Sequence, residues 1–321
     1  MHNKVVILLP KNHRDIYEFF PVLFHLQENM GEALKELNLV SDRDFTAQLS
    51  HLPFKVVNYK IDERELSPLG SMKLAYRLND LFNISHFYNF REGIGALNFG
   101  RSLKAKERVG FRDSLGKLFY TKMIERRNYS TKSEEYLSLV LEDSNEKLSK
   151  RSPPKNKEIF PENFFKSNKH EPFIFIALSD LEKDESKYLL VKNIIGELEG
   201  QRKILWTDQC NQHHRDLLKS FPSMIDATNV DFTEIDKYLG HTRGVVTDDI
   251  YIARACTYFG VEHFFISRED YSLRGINEFP FVLGQLLLKD DEIHYLEGVE
   301  QLKEMKKVHE VMDLIHEKFE L

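Results

Sequence analysis

The stretch Gly244–Ile266, GVVTDDIYIARACTYFGVEHFFI, decides the fold. A short apolar run, Gly244-Val245-Val246, ends in Thr247-Asp248-Asp249. Ile250 to Phe259 is mainly apolar or small, Gly260 closes it, and Val261 to Ile266 reads as a second strand. Strand, acidic turn, helix, glycine stop and strand make one βαβ unit, with the turn at the carboxyl edge of a parallel sheet. Asp249 is placed to cap the helix by accepting a backbone N–H two or three residues on. Ligands of open α/β sheets bind at that edge, where unpaired helix N–H groups attract anions. Arg254 stands out, because a cation near a helix start opposes the dipole. Two readings of it are open: a ligand for an anion held at the turn, or a surface residue paired with Asp248 or Asp249.

At 321 residues the chain is long enough for two ordinary domains. With 41% hydrophobic and 30% charged residues it has the composition of a soluble globular protein. Cys210 and Cys256 are too few for a disulfide framework, which points to a reducing, cytoplasmic compartment. The apolar run Val5 to Leu9 is too short for a signal-peptide core or a membrane span. A net charge of −6 argues against a general nucleic-acid binder. Arg101 to Arg127 nevertheless holds nine basic residues against three acidic ones, so this segment is +6 and the remainder −12. Such asymmetry marks either a surface for an anionic partner or a solvated face.

Working outward, Lys4 to Leu9 reads as a buried parallel strand, continuous rather than alternating, and Pro10 ends it. Lys11-Asn12-His13-Arg14-Asp15 forms the turn, and Ile16 to Gly31 has helical spacing. Asp15 is thus a second acid between a strand and a helix, suited both to capping and to chemistry. Phe54 to Val57 predicts the next strand, reached through a connection containing a helix. Leu66 to Leu81 predicts a helix and Ile84 to Phe90 a strand. Gly93-Ile94-Gly95 follows that strand, but Gly100 is too far on for a dinucleotide-binding G-x-G-x-x-G, which disfavours a nicotinamide-dependent oxidoreductase. A helix from Gly95 leads to Arg108-Val109-Gly110-Phe111 and an irregular basic segment; Ser130 to Leu148 is an amphipathic helix.

Residues 151–172, with Pro153, Pro154, Pro161 and Pro172 in a lysine-rich stretch, read as a linker between domains 1–150 and 173–298. Phe173 to Leu178, Lys203 to Trp206 and Met224 to Asp226 predict strands. Glu185 to Gly200, Asn211 to Ser220 and Phe232 to Leu239 predict helices, and residues 299–321 belong to a closing amphipathic helix. Cys210, His213 and His214 lack a second cluster to complete four zinc ligands, so they read as a helix start and no metal is expected. The result is an α/β chain of two Rossmann-like domains facing across a cleft.

This order of motifs resembles the ADP-heptose:lipopolysaccharide heptosyltransferases, glycosyltransferase family nine, which have a GT-B fold. The resemblance runs across nearly the whole chain. The family's apolar strand, loop, Gly-Asp pair and proline six residues on are matched by Asp15 and Pro21, with Arg14 in the glycine's place. Its Gln-Gly turn, Arg-rich helix and Ile-Gly-Phe look like Arg91-Glu92-Gly93, Arg101 and Val109-Gly110-Phe111, and Ser114 to Tyr120 looks like the segment that follows. Its lysine-bearing loop looks like Phe173 to Lys187, and Trp206-Thr207-Asp208 occupies the place of a Gly-rich turn. Its Asp-Thr-Gly-x-x-His motif looks like Asp249 to Arg254, with Ile250, Tyr251 and Arg254 replacing Thr, Gly and His. Ser267 to Gly275 looks like the region after it.

The resemblance implies an inverting, metal-independent transfer of a sugar from a nucleoside-diphosphate donor, an ADP-sugar, to an acceptor hydroxyl. No cofactor is implied. Asp15 would be the base. Lys187 or Lys183, Thr207, Asp208, Thr247, Asp248, Asp249, Ile250, Tyr251 and Arg254 would hold the donor. Lys11, His13, Arg14, Arg91, Lys104, Arg108 and Arg112 would meet an anionic glycan or lipopolysaccharide-core acceptor. The basic segment also suits peripheral contact with an anionic membrane face. Arg14 beside Asp15 is expected to lower that carboxyl's pKa. The alternative is a non-catalytic GT-B-fold binding or scaffold protein, because Tyr251 fills space that a glycine leaves open to phosphate.

Overall fold

The computed structural model describes residues 3–30, 34–113, 115–126, 132–143, 173–179, 181, 185–198, 200–267, 282–289, 292–296, 310, 313 and 315–317. The chain divides into two compact units, Met1–Lys155 and Asn156–Leu321. The expected linker, 151–172, lies outside the described residues, as does most of the expected closing helix.

The first unit contains β1 (Asn3–Leu8), a 3₁₀ helix (His13–Phe19), α1 (Phe20–Met30), β2 (Leu34–Ser41), α2 (Thr46–Leu49), β3 (Val56–Lys60), α3 (Pro68–Leu81), β4 (Ile84–Asn89), α4 (Ile94–Ser102), β5 (Glu107–Phe111), β6 (Lys122–Ile124) and α5 (Lys132–Asp143). Its six strands pair in the order β3-β2-β1-β4-β5-β6, and every pairing is parallel. Val5, Val6, Ile7 and Leu8 are fully buried, as a continuous apolar run requires in a sheet covered on both faces. α3 and α4 bury Leu74, Ala75, Leu78, Ala96 and Phe99 with Val6, Leu8 and Phe87. Gly93-Ile94-Gly95 opens α4.

Three sequence expectations are corrected in this unit. The second strand in chain order is β2; the connection before Phe54 holds this strand as well as the expected helix, α2. Its centre, Asn38, is polar yet completely buried, and its amide donates to the carbonyl of Val5 at 3.2 Å. That polar residue breaks the apolar pattern, and its amide N–H groups are met by the carbonyls of Val5 and Glu36. The strand expected at Phe54 to Val57 begins at Val56. The segment read as irregular contains β6, parallel to β5. Gly110 on β5 is required by packing: a Cβ there would come within 2.3 Å of the Tyr120 ring. The Tyr120 hydroxyl accepts from the Asn89 amide at 2.5 Å, and burial pushes its pKa up to about 12.

The second unit contains β7 (Ile174–Ala177), α6 (Glu185–Glu197), β8 (Lys203–Trp206), α7 (Gln212–Ser220), β9 (Ile225–Asp226), a 3₁₀ turn (Phe232–Glu234), α8 (Asp236–Leu239), β10 (Gly244–Thr247), α9 (Ile250–Phe259), β11 (His263–Ser267), β12 (Val282–Lys289) and β13 (Glu292–Leu296). The sheet order is β13-β12-β11-β10-β7-β8-β9, parallel except for β12 with β13, and these two strands were not anticipated. Read from β9 to β12, this is the strand order of the first unit. The quoted stretch is therefore β10-α9-β11, and Gly260 stops the helix at φ 63°. Ile315 belongs to the second core with Ile176, Val246 and Phe264, so this part of the chain packs with the second unit.

His263 at the start of β11 is fully buried, its Nδ1 lies 3.1 Å from the carbonyl of Val261, and burial pushes its pKa down to about 4. An unfolded histidine takes up a proton near pH 6.5, whereas this one resists to about 4. Its contribution is therefore present above pH 6.5 and lost as pH falls from 6.5 to 4, on the order of 3 kcal/mol. We expect urea midpoints to fall steeply across that window, and His263→Phe to flatten the fall.

Candidate functional site

The chain leaves β1 at its carboxyl end and turns into the 3₁₀ helix, and the cap is Asn12 rather than Asp15: the Asn12 side chain accepts from Arg14 N–H at 3.3 Å. Asp15 lies inside that helix, only 4% exposed. Its Oδ1 accepts from the Asn12 amide at 2.7 Å and its Oδ2 from the Tyr136 hydroxyl at 2.5 Å. Burial raises the Asp15 pKa above its usual 3.8; the Tyr136 bond opposes this, Glu18 adds to it, and Lys132 and Asn12 oppose it. The net shift is upward, opposite to the lowering expected from Arg14, because burial dominates. Beside Asp15 is a pocket of about 10 Å³, space for about one water molecule, lined by Leu9, Pro10, Asn12, His13, Ile16, Phe19 and Phe45.

Other cations share this edge of the sheet. Lys11 pairs with Glu63 at 2.9 Å, and Arg91, which follows β4, pairs with Asp42 at 3.2 Å and reaches Glu63 at 3.8 Å. Arg91 is 6% exposed in its side chain, so it is a built-in part of the edge, not a surface charge. His13 lines the pocket, and Arg14 is half-buried. Lys104 precedes β5 and Arg108 is its second residue, so both approach from the amino side of the parallel strand. Arg108 Nε donates to the carbonyl of Phe119 at 2.9 Å. Arg112, just past β5, is tied to Glu125. Arg126 pairs with Glu92 and Glu135 at 2.8 and 3.0 Å, so part of the +6 segment is neutralised within its own unit.

In the second unit the turns after β8 and β10 are built alike. The hydroxyl of Thr207 accepts from Gln209 N–H at 3.3 Å, and that of Thr247 from Asp249 N–H at 3.0 Å. Both threonines are completely buried and hold the turns, while Asp208 is exposed. Asp249 caps α9 as expected, its Oδ1 accepting from Tyr251 N–H at 2.9 Å and Ile252 N–H at 3.4 Å. Ile250 opens α9, and Tyr251 is half-buried. Arg254 is 5% exposed, which overturns the reading of it as a surface residue.

Asp248 makes the densest set of bonds. It accepts from Ser179 N–H at 2.6 Å, from the Ser179 hydroxyl at 2.9 Å and from Lys187 Nζ at 2.5 Å. Lys187 is thus delivered from α6 to the point where β7 and β10 part, the switch point of this sheet. Lys183 lies outside the described residues. His214 closes a capping box with Asn211, and His213 faces Glu185 at 3.4 Å and the Tyr188 ring at 4.5 Å, which gives both histidines local structural work.

Two participants escaped the sequence reading. Ser179 is an ordinary loop serine without its partner, and Tyr136 reads only as an apolar-side residue of an amphipathic helix, 121 residues from Asp15. No local signal marks either one.

No family model and no curated protein matches the sequence. Solved structures do match in fold. E. coli heptosyltransferase WaaC with ADP aligns over 98% of this chain and 99% of that one, at TM-score 0.68 and 14% identity. The same protein with ADP-2-deoxy-2-fluoro heptose aligns over the same shares at TM-score 0.65 and 14% identity. A glycosyl transferase family 9 structure from Veillonella parvula DSM 2008 covers 82% of this chain and 81% of that one, at TM-score 0.61 and 12% identity. The chain is therefore a divergent, heptosyltransferase-like protein in fold, two Rossmann-like domains of the GT-B class.

Proposed function

We propose that the chain is a glycosyltransferase that moves a sugar, with inversion, from a nucleoside-diphosphate donor to a hydroxyl of an anionic glycan or lipopolysaccharide-core acceptor. The observation that carries this reading is Asp15, a carboxylate at the carboxyl edge of the first sheet, with raised proton affinity and a pocket beside it. A base needs both a proton affinity near its working range and reach to the proton. In the reaction the acceptor O–H proton passes to Asp15 as the oxygen attacks the anomeric carbon. The bond from that carbon to the diphosphate breaks, and its electron pair leaves with the nucleoside diphosphate.

The departing diphosphate gains charge, so the donor half supplies positive groups. Lys187 is the principal one. An ammonium has three N–H donors, so orientation by Asp248 and contact with a phosphate oxygen are compatible. Arg254, carried on α9, supports the same anion. The ligands of the WaaC structures, ADP and an ADP-sugar analogue, favour an adenosine diphosphate donor. Lys11, His13, Arg14 and Arg91 around Asp15 suit an acceptor bearing carboxylates or phosphates. A second reading, a nucleotide-free scaffold protein, is favoured by Tyr251 where the family's glycine would admit a phosphate.

Among the described residues, no helix is long and apolar enough to cross a membrane. Contact with an anionic membrane face through Lys104, Lys106 and Lys117, all exposed, belongs to the same proposal.

Calorimetric titration with ADP and UDP separates the two readings: saturable binding supports the transferase, and no heat with either leaves the scaffold. Lys187→Ala should weaken ADP by roughly 10- to 100-fold, the worth of a hydrogen bond to a charged group. Asp15→Asn should lower transfer by about 10²- to 10⁴-fold with ADP binding unchanged. The same variant should melt at a higher temperature than the parent at pH 7. A carboxyl whose folded pKa is raised opposes folding once it ionises, from 3.8 upward, so the advantage should vanish at pH 3.

A further inference from the structure

We propose that Tyr136 is a positioning residue for Asp15: from α5 its hydroxyl holds Oδ2 and, with Asn12 on Oδ1, fixes the buried carboxyl group at the edge of its pocket. The proposal rests on the reading of Asp15 as the base.

The geometry is that of a dedicated contact. The Tyr136 ring is 4% exposed and packs against Phe19 at 5.0 Å and Phe90 at 5.6 Å between centroids, while Phe19 and Phe90 meet edge-to-face at 4.5 Å. A phenylalanine would serve that packing. The hydroxyl is what differs, and it donates to a buried carboxylate oxygen. The start of α5 is fastened so that the phenol cannot drift. Lys132 pairs with Glu135 at 2.7 Å, Arg126 with Glu135 at 3.0 Å, and the Ser133 hydroxyl donates to Glu18.

The charges that bear on Asp15 pull in opposite directions. On its own segment Glu18 lies one turn on and disfavours the anion, and His13 lines the same pocket. From α5 come Lys132, which favours the anion, and Tyr136 itself, with Glu135 held between Lys132 and Arg126. Burial is the largest influence and acts against ionisation, and the Tyr136 bond is the largest that opposes it. Tyr136 keeps its own proton throughout, because burial and the Asp15 charge push its pKa upward. The proton taken from an acceptor hydroxyl therefore stays on Asp15, and the phenol only directs where that oxygen points.

The test is carbon-13 NMR titration of the Asp15 carboxyl, assigned by its loss in Asp15→Asn, in the parent and in Tyr136→Phe. The variant should titrate roughly one pH unit higher, the worth of a hydrogen bond to a charged group. The acidic limb of the transfer-rate profile should move with it, kcat falling and KM holding. Ser138→Ala, which removes from the same helix a hydroxyl that donates to the Glu135 backbone carbonyl, should leave the acidic limb in place. An Asp15 that titrates at the same pH with and without the Tyr136 hydroxyl overturns the proposal. In the parent protein the Tyr136 Cζ signal should shift across the Asp15 titration, and a flat signal overturns it even if the variant does not fold. Should the titration shift appear while Asp15→Asn retains full transfer, the base reading fails and the positioning contact stands.

Discussion

The middle of a parallel strand covered on both faces is apolar, because an ion there loses water; a charge survives only where partners meet it, as the carbonyls of Leu198 and Gln201 meet Lys203 at the start of β8. Val5, Val6, Ile7 and Leu8 in one unit, and Val245 and Val246 in the other, are completely buried for that reason. Polar chemistry is pushed beyond the carboxyl ends of the strands. Both sheets run in the same order, with the first strand of the unit beside the fourth, so each has one place where successive connections part to opposite sides. Asp15 and Arg91 gather near that place in the first unit, and Asp248, Ser179 and Lys187 in the second.

The two edges solve the burial of a carboxylate differently. Asp248 receives a full cation and two further donors from Ser179, so its charge is balanced where it sits. Asp15 receives hydrogen bonds only from neutral donors, the Asn12 amide and the Tyr136 hydroxyl, with Glu18 one turn away. Neutral donors offset burial less completely than an ammonium, and the proton affinity of Asp15 stays high. One carboxylate is suited to steering a cation and the other to exchanging a proton.

Much of this arrangement was legible in the chain. The stretch from Gly244 to Ile266 is a βαβ unit with Asp249 capping its helix and Gly260 ending it, because strand, cap and stop are short-range properties. The boundaries that slipped did so where tertiary pairing overrode pattern. β2 was hidden by Asn38, a buried polar residue whose amide donates to the carbonyl of Val5 in β1. The cap at the start of the first turn fell to Asn12, which left the Asp15 carboxylate for other partners.

By itself, the sequence determined the alternation of buried strands and helices, the two-unit plan and the placing of acids at strand ends. These follow from hydrophobic periodicity and turn chemistry, which act over a few residues. Only the tertiary structure decided which side chains meet those acids. Tyr136 reaches Asp15 across 121 residues, and Lys187 reaches Asp248 across 61. Burial, set by the packing of whole helices on the sheets, decided the direction in which Asp15 titrates and moved Arg254 from the surface to the interior. Desolvation and partner choice depend on distances in space, and separation along the chain does not encode them.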